Sequence, residues 1–197
     1  MSDRLKAGKN SQNQLKWQIL TVVFLLIVMT VGLSVGSSPA DWLTDDTRYA
    51  AEIKAAAERH GLDPQLVRSL IFQESRFRPG VRGKDGEVGL MQILPEGAAA
   101  DYSRSNNRPE FSLRELYGVE CNLEIGCWYL ARAVRRWQGF AHGTELALAQ
   151  YNAGERRAKK WQPAGTDGDV IRNITIKSTR NYVERIMKRY RRYKAAE

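Results

Sequence analysis

Residues 63–92 read DPQLVRSLIFQESRFRPGVRGKDGEVGLMQ. Asp63 followed by Pro64 has the form of a helix N-cap with proline at the first helical position, and Leu66, Val67, Leu70 and Ile71 recur at helical spacing. The pattern predicts a helix ending near Glu74 to Phe77, ahead of Pro79-Gly80. Glu74 then sits on the apolar lip of that helix. A carboxylate there is costly to ionise, because burial disfavours the charged form and raises its pKa. A general acid that must hold a proton at neutral pH needs that condition. Beyond it, a loop carrying Gly80, Gly83 and Gly86 leads into Gly89-Leu90-Met91-Gln92. No other acidic residue combines such apolar flanks with a nearby glycine-rich turn.

Outward from this stretch the chain reads as helical nearly throughout, with no convincing alternating strand. Residues 46–60 are Ala-rich and stop at Gly61. Residues 90–100 predict a helix that Pro95 can interrupt, and residues 101–110 are polar and loop-like. From Asn122, the apolar positions Leu123, Cys127, Leu130, Val134 and Trp137 step by four, three, four and three, the mark of an amphipathic helix. Thr144 is a candidate cap for a helix running to Ala153. A loop with Pro163, Gly165 and Gly168 precedes a last helix, on which Tyr182, Ile186 and Tyr190 share one face. The expected fold class is all-α (mainly α), a single helical domain without internal repeats.

At 197 residues the chain suits one domain plus an extension. Arg4, Lys6, Lys9 and Lys16 precede an uncharged run from Trp17 to Val35, WQILTVVFLLIVMTVGLSV. At ~1.5 Å per residue it is about long enough to cross a bilayer as a helix. The expected organisation is a basic cytoplasmic segment (1–16), a transmembrane signal anchor or signal peptide (17–36), a linker (37–45) and the helical domain (46–197). The run exceeds the ~7–15-residue core of a cleaved signal, and Ser38-Pro39-Ala40 is a mediocre cleavage site, which favours the anchor. The basic flank keeps the N-terminus in the cytoplasm and exports the rest. No cysteine follows the run, so lipid attachment there is excluded.

The formal charge is +9, from 31 Lys/Arg against 22 Asp/Glu; the first forty residues hold four Lys/Arg and one Asp, leaving +6 for the remainder. Such a balance favours anionic partners, or is simply a solvated helix face. The basic residues lack interleaved aromatics for base stacking, so nucleic acid is not an expected partner. Cys121 and Cys127 lie about 9 Å apart along the axis if both are helical, too far for a disulfide. A bridge requires Cys121 to lie before the helix, where export to an oxidising compartment would favour it; the other reading is two small core residues. Neither has a partner at metal-ligand spacing, and His60 and His142 are isolated beside glycines, so neither a metal nor a cofactor is expected.

Three separated segments converge on one family. Glu74-Ser75-Arg76-Phe77 followed by Gly86-Glu87-Val88-Gly89-Leu90-Met91-Gln92-Ile93-Leu94-Pro95 resembles the first signature of the soluble lytic transglycosylase domain. Ala149-Gln150-Tyr151-Asn152-Ala153-Gly154 resembles its Tyr-Asn-Ala-Gly motif, and Thr179-Arg180-Asn181-Tyr182-Val183 its C-terminal motif. The resemblance runs from Tyr49 to Tyr193. It implies a lysozyme-like helical fold and cleavage of the β-1,4 bond between N-acetylmuramic acid and N-acetylglucosamine in peptidoglycan, leaving 1,6-anhydromuramic acid ends. Glu74 would be the one acid/base: it would protonate the glycosidic oxygen, then take the proton of the muramic C6 hydroxyl. Most glycosidases use two carboxylates; here the substrate's N-acetyl oxygen is expected to replace the second.

The resemblance also nominates Tyr151 near Glu74 and the scissile sugar, Gln92 as an amide contact to sugar, and Met91, Glu87, Asn152 and Tyr182 as further substrate-binding positions. The plain alternatives are a core tyrosine, a structural glutamine and a packing methionine, with Asn152, Gly154 and Gly89 as supports of turn and backbone. Implied partners are peptidoglycan glycan strands, the inner membrane through the N-terminal segment, and secretion or envelope machinery. The implied location is the periplasmic face of the inner membrane, or secretion if residues 17–36 are removed. Two departures stand out. Gly83 occupies the place where many members carry a serine that hydrogen-bonds the catalytic glutamate, and Ser178 stands where many have glutamate. Glu87 reads either as an exposed loop acid or as a second carboxylate supporting water attack. A hydrolytic muramidase and a wall-binding scaffold module are therefore the alternative functions.

Overall fold

The computed structural model describes residues 45–197. The expected cytoplasmic segment, the apolar run and nearly all of the linker lie outside the described residues. Among those described, no helix is long and apolar enough to cross a membrane.

Nine α-helices make up the described part. They are α1 (Ala50–Arg59), α2 (Pro64–Ser75), α3 (Ala100–Ser105), α4 (Leu113–Leu116), α5 (Val119–Trp137), α6 (Gly143–Ala153), α7 (Glu155–Trp161), α8 (Val170–Asn173) and α9 (Lys177–Lys194). There are no strands among the described residues, only isolated bridges pairing Arg82 with Val88 and Val88 with Ile93. The mainly helical expectation holds. The Asp63 carboxylate accepts the Gln65 N–H at 2.8 Å and Pro64 opens α2, satisfying an otherwise orphaned donor. At the other end Arg76 and Phe77 turn left-handed, with φ of 52° and 57°, and α2 ends at Ser75, one residue after Glu74.

Apolar stripes pack these helices together. Leu70 and Ile71 of α2, Leu123 and Leu130 of α5, and Leu146 and Leu148 of α6 have essentially no exposure. Each contributes roughly 1.5–3 kcal/mol of burial free energy. α5 and α6 run against each other, and α9 packs on both α2 and α6. The end of α2 that bears Glu74 is thereby brought beside α9.

Several expectations are corrected. Residues 90–94 are not helical: Val88 and Ile93 exchange backbone hydrogen bonds at 3.0 and 2.9 Å, closing a tight turn. The helix starts only at Pro95, as a π-helical turn (Pro95–Ala99) that becomes α3. Proline lacks the N–H for a helix interior but suits a first turn, so Pro95 begins this element rather than interrupting one. Residues 101–105 are helical rather than loop. Thr144 is not a cap; α6 begins at Gly143, with His142 in the cap position and no side chain capping it. The short helices α4, α7 and α8 were not anticipated. α4 owes its start to a capping box in which Ser112 and Glu115 bond each other's backbone N–H.

Both cysteines fall on α5 and are free, Cys127 buried and Cys121 half-buried. Helical rise separates them as anticipated for two helical positions, so the bridged alternative is set aside. His60 is no isolated cap: its Nε2 lies 2.8 Å from Glu124 Oε1, tying the end of α1 to α5.

Candidate active site

Glu74 lies in the last turn of α2, and the neighbouring α9 supplies its partner. Tyr182 Oη donates to Glu74 Oε1 at 2.5 Å, joining residues 108 positions apart. Solvent still touches part of Glu74, yet burial of its carboxyl pushes the pKa up to about 7. The Tyr182 bond pulls the other way, and the nearby charge of Glu87 adds to the rise. A carboxyl balanced at neutral pH can both give a proton and take one back. The orienting bond for which Gly83 has no side chain is therefore supplied by Tyr182.

Tyr151, on α6, donates from Oη to the Met91 carbonyl at 2.8 Å and meets Tyr129 edge-on. Burial raises its hydroxyl pKa well above the usual tyrosine value, and the charge of Glu74 raises it further. Tyr151 is thus a neutral hydroxyl close to the acid, not a second base. Met91 is fully buried, so what it offers to the site is its backbone rather than its side chain.

The turn bearing Met91 and Gln92 is clamped from α5. Asn122 Oδ1 accepts the Met91 N–H at 2.8 Å, while its Nδ2 donates to the carbonyls of Val88 at 2.9 Å and Leu116 at 2.8 Å. Asn122 has no exposure, and all three bonds replace water that the backbone would otherwise need. Gly89, at φ 81°, is what lets Asn122 approach: a Cβ there would lie 2.2 Å from Asn122 Nδ2. Nothing in the sequence singled out Asn122 beyond its place at the head of a helix, because its burial is a tertiary fact. Gln92 is itself left-handed, at φ 48°, and its Nε2 donates to the carbonyls of Gly89 at 2.9 Å and Val81 at 3.2 Å. Its amide nitrogen thus holds the loop, which leaves Oε1 as the atom able to meet a sugar.

The C-terminal motif divides its work. Thr179 Oγ1 donates to Asn152 Oδ1 at 2.8 Å, tying α9 to the end of α6. Arg180 grips the Ile174 carbonyl through Nε at 3.0 Å and Nη2 at 2.7 Å. Tyr182 reaches Glu74, and Val183 is buried in the core. Glu87 is half-buried and turned back on its loop, accepting the Asp85 N–H at 3.0 Å. The structure therefore brings Glu74, Tyr182, Tyr151 and Glu87 together, and gives Met91, Asn122 and Asn152 supporting parts. Among the described residues no group of three or more His, Cys, Asp or Glu side chains could hold a metal ion.

A family model described as Transglycosylase SLT domain matches residues 51–171. Among curated relatives, the chain is 33% identical over 129 residues to an endo-type membrane-bound lytic murein transglycosylase A of Klebsiella pneumoniae, covering 60% of each chain. It is 34% identical over 120 residues to the soluble lytic murein transglycosylase of Escherichia coli K12, covering 58% of this chain and 18% of that one. Among solved structures, the 70 kDa soluble lytic transglycosylase of E. coli superposes with a TM-score of 0.66 at 27% identity, over 76% of this chain and 25% of that one. An inactive Glu-to-Gln mutant of the lytic transglycosylase Slt from Pseudomonas aeruginosa gives 0.65 at 28% identity, over 73% and 23%. The chain thus spans less than two thirds of the length of these proteins.

Proposed function

Since the chain belongs to the transglycosylase SLT domain family, we propose that it is a peptidoglycan lytic transglycosylase with Glu74 as its sole acid/base. It cleaves the β-1,4 bond between N-acetylmuramic acid and N-acetylglucosamine without water and leaves 1,6-anhydromuramic acid ends. The observation that carries this reading is Glu74 itself: a carboxyl with a pKa near 7, hydrogen-bonded by the buried Tyr182. Protonated, it is the acid for the glycosidic oxygen; once ionised, it is the base for the C6 hydroxyl. The substrate's N-acetyl oxygen supplies the stabilisation that a second carboxylate gives in most glycosidases. Neutral Tyr151 and the Oε1 of Gln92 contact the sugar, Asn152 shapes the α6 end, and Met91 acts through its carbonyl. A 70-kDa soluble lytic transglycosylase similar to this chain is known in complex with bulgecin A, and the inactive P. aeruginosa mutant has glutamine in place of one glutamate; the latter accords with an essential glutamate.

The domain spans 46–197, preceded by a linker (37–45), a membrane anchor (17–36) and a cytoplasmic segment (1–16), so catalysis occurs at the periplasmic face of the inner membrane. Membrane-bound relatives of the domain exist, which supports this placement. The test is digestion of purified sacculi with wild type and Glu74→Gln, read by mass spectrometry. Wild type should release anhydromuropeptides and Glu74→Gln none. Reducing ends from the wild type would instead establish a hydrolytic muramidase, the reading that Glu87 favours by lying close enough for its charge to reach Glu74. Undiminished digestion by Glu74→Gln would end the catalytic reading.

A further inference from the structure

Gly83 and Glu87 face each other across the loop that follows α2. The Gly83 N–H donates to the Glu87 carbonyl at 2.7 Å, and the side chain of Glu87 folds back over the glycine. A Cβ built on Gly83 would lie 2.2 Å from Glu87 Oε2, 2.9 Å from its carboxyl carbon and 2.9 Å from Gln92 Oε1. Those separations are far inside van der Waals contact. Any side chain at position 83 and the Glu87 carboxylate compete for one space. That space is where the family resemblance expects a serine hydroxyl directed at the catalytic glutamate. In this chain the Glu87 carboxyl group fills that space instead.

We propose that Glu87 is a second carboxylate of the active site, seated in the volume Gly83 leaves open, and that the two positions act as one exchangeable unit. Glu87 is a positioning residue: it works through Glu74 and does not itself exchange protons with the substrate. Its anion discourages ionisation of Glu74 and so keeps the acid loaded until a glycan strand is bound. The titratable groups facing Glu74 are Tyr182 from α9, Tyr151 from α6 and Glu87 from the loop. Of these, Tyr182 lowers the pKa of Glu74 through its hydrogen bond and Glu87 raises it through its charge. The anchor of Glu87 is the Asp85 N–H, which an amide oxygen can accept equally well. Charge and architecture can therefore be separated by one substitution.

This inference rests on the transglycosylase reading above, and the experiment distinguishes the two. Turnover of sacculi is measured against pH for wild type, Glu87→Gln, Gly83→Ser, Glu87→Ala and the double variant Gly83→Ser/Glu87→Ala, with Glu74→Gln as the reference for loss of chemistry. Glu87→Gln should keep the fold and move the alkaline limb of the kcat/KM profile to lower pH by about half a unit to one unit. Gly83→Ser should lower kcat roughly tenfold or more, because the serine displaces the carboxylate. The double variant should recover most of that loss, because the new hydroxyl then has room to reach Glu74. A Glu87→Gln profile that superimposes on wild type would overturn the proposal, as would single effects that simply multiply in the double variant. Neither result would touch the transglycosylase reading, which falls only if Glu74→Gln still digests sacculi.

Discussion

The loop of residues 76–92 and the helix α5 are of similar length and solve opposite problems. Among the described residues nine have left-handed backbone, and five of them, Arg76, Phe77, Gly86, Gly89 and Gln92, lie in this loop; α5 contains none. α5 is regular and buries Leu123, Cys127 and Leu130 along one side. The loop holds the groups around the acid in conformations that non-glycine residues adopt at a cost of order 1 kcal/mol or more each. It keeps them because Phe77, Val88, Leu90 and Met91 are anchored in the core and because Asn122 reaches out of α5 to fasten it. The helix contributes a regular buried stripe, and the loop contributes the irregular backbone around Glu74. Asn122 belongs to both.

That division can be broken at several points. The largest effect on chemistry is expected for Glu74→Gln, which should lower kcat by about 10²–10⁴-fold, the range for removing a general acid/base. The same variant should be more stable than wild type in alkali. A folded-state pKa near 7, above the ordinary 4.5, means the protonated carboxyl's contribution is whole below about pH 4.5 and lost as pH rises through 7. Urea titrations at pH 4 and pH 8 should therefore show little difference at the lower pH and a gain of about 1–3 kcal/mol for Glu74→Gln at the higher.

Leu130→Ala, in the fully buried stripe of α5, should cost about 2–5 kcal/mol of stability and leave the pH profile of the surviving enzyme unaltered. A shifted profile would mean that helix and loop are not separable. Asn122→Ala is the bridge between the regions: losing three buried hydrogen bonds should cost about 2–4 kcal/mol, and unlike Leu130→Ala it should also depress kcat by loosening Met91 and Gln92. Calorimetry paired with turnover at a temperature where both variants are folded separates the cases. The smallest effect is expected for Tyr182→Phe. Removing the bond that favours the Glu74 carboxylate should raise the pKa of that acid and move the alkaline limb to higher pH, opposite in sign to Glu87→Gln. It should also lower kcat roughly tenfold, through looser placement of the carboxyl.

The helices were legible where a stripe of apolar residues met a clear boundary. α2 has Asp63-Pro64 before it, α5 has its alternating steps of four and three, and α9 has Tyr182 and Ile186 on one face. The acid was legible for the same reason, as the one carboxylate that closes an apolar stripe. Residues 90–105 were misread because their conformation depends on a partner distant in sequence: Asn122 takes the Met91 N–H that a helix would have used internally, and Gln92 turns left-handed. The bond between Tyr182 and Glu74 was hidden likewise. The motif around Tyr182 was recognisable, but its target depends on α9 packing along α2. The competition between Gly83 and Glu87 exists only once the loop has folded back on itself.

The hydroxyl that seats the acid comes from the helix nearest the end of the chain. A polypeptide made only as far as residue 176 already contains the whole segment bearing Glu74 and still lacks Tyr182. Such a chain holds its blade unsheathed but without a handle. The carboxyl of Glu74 is held by a neighbour only once the C-terminal helix has packed along α2 and α6, so placement of the acid depends on the last part of the domain to be made.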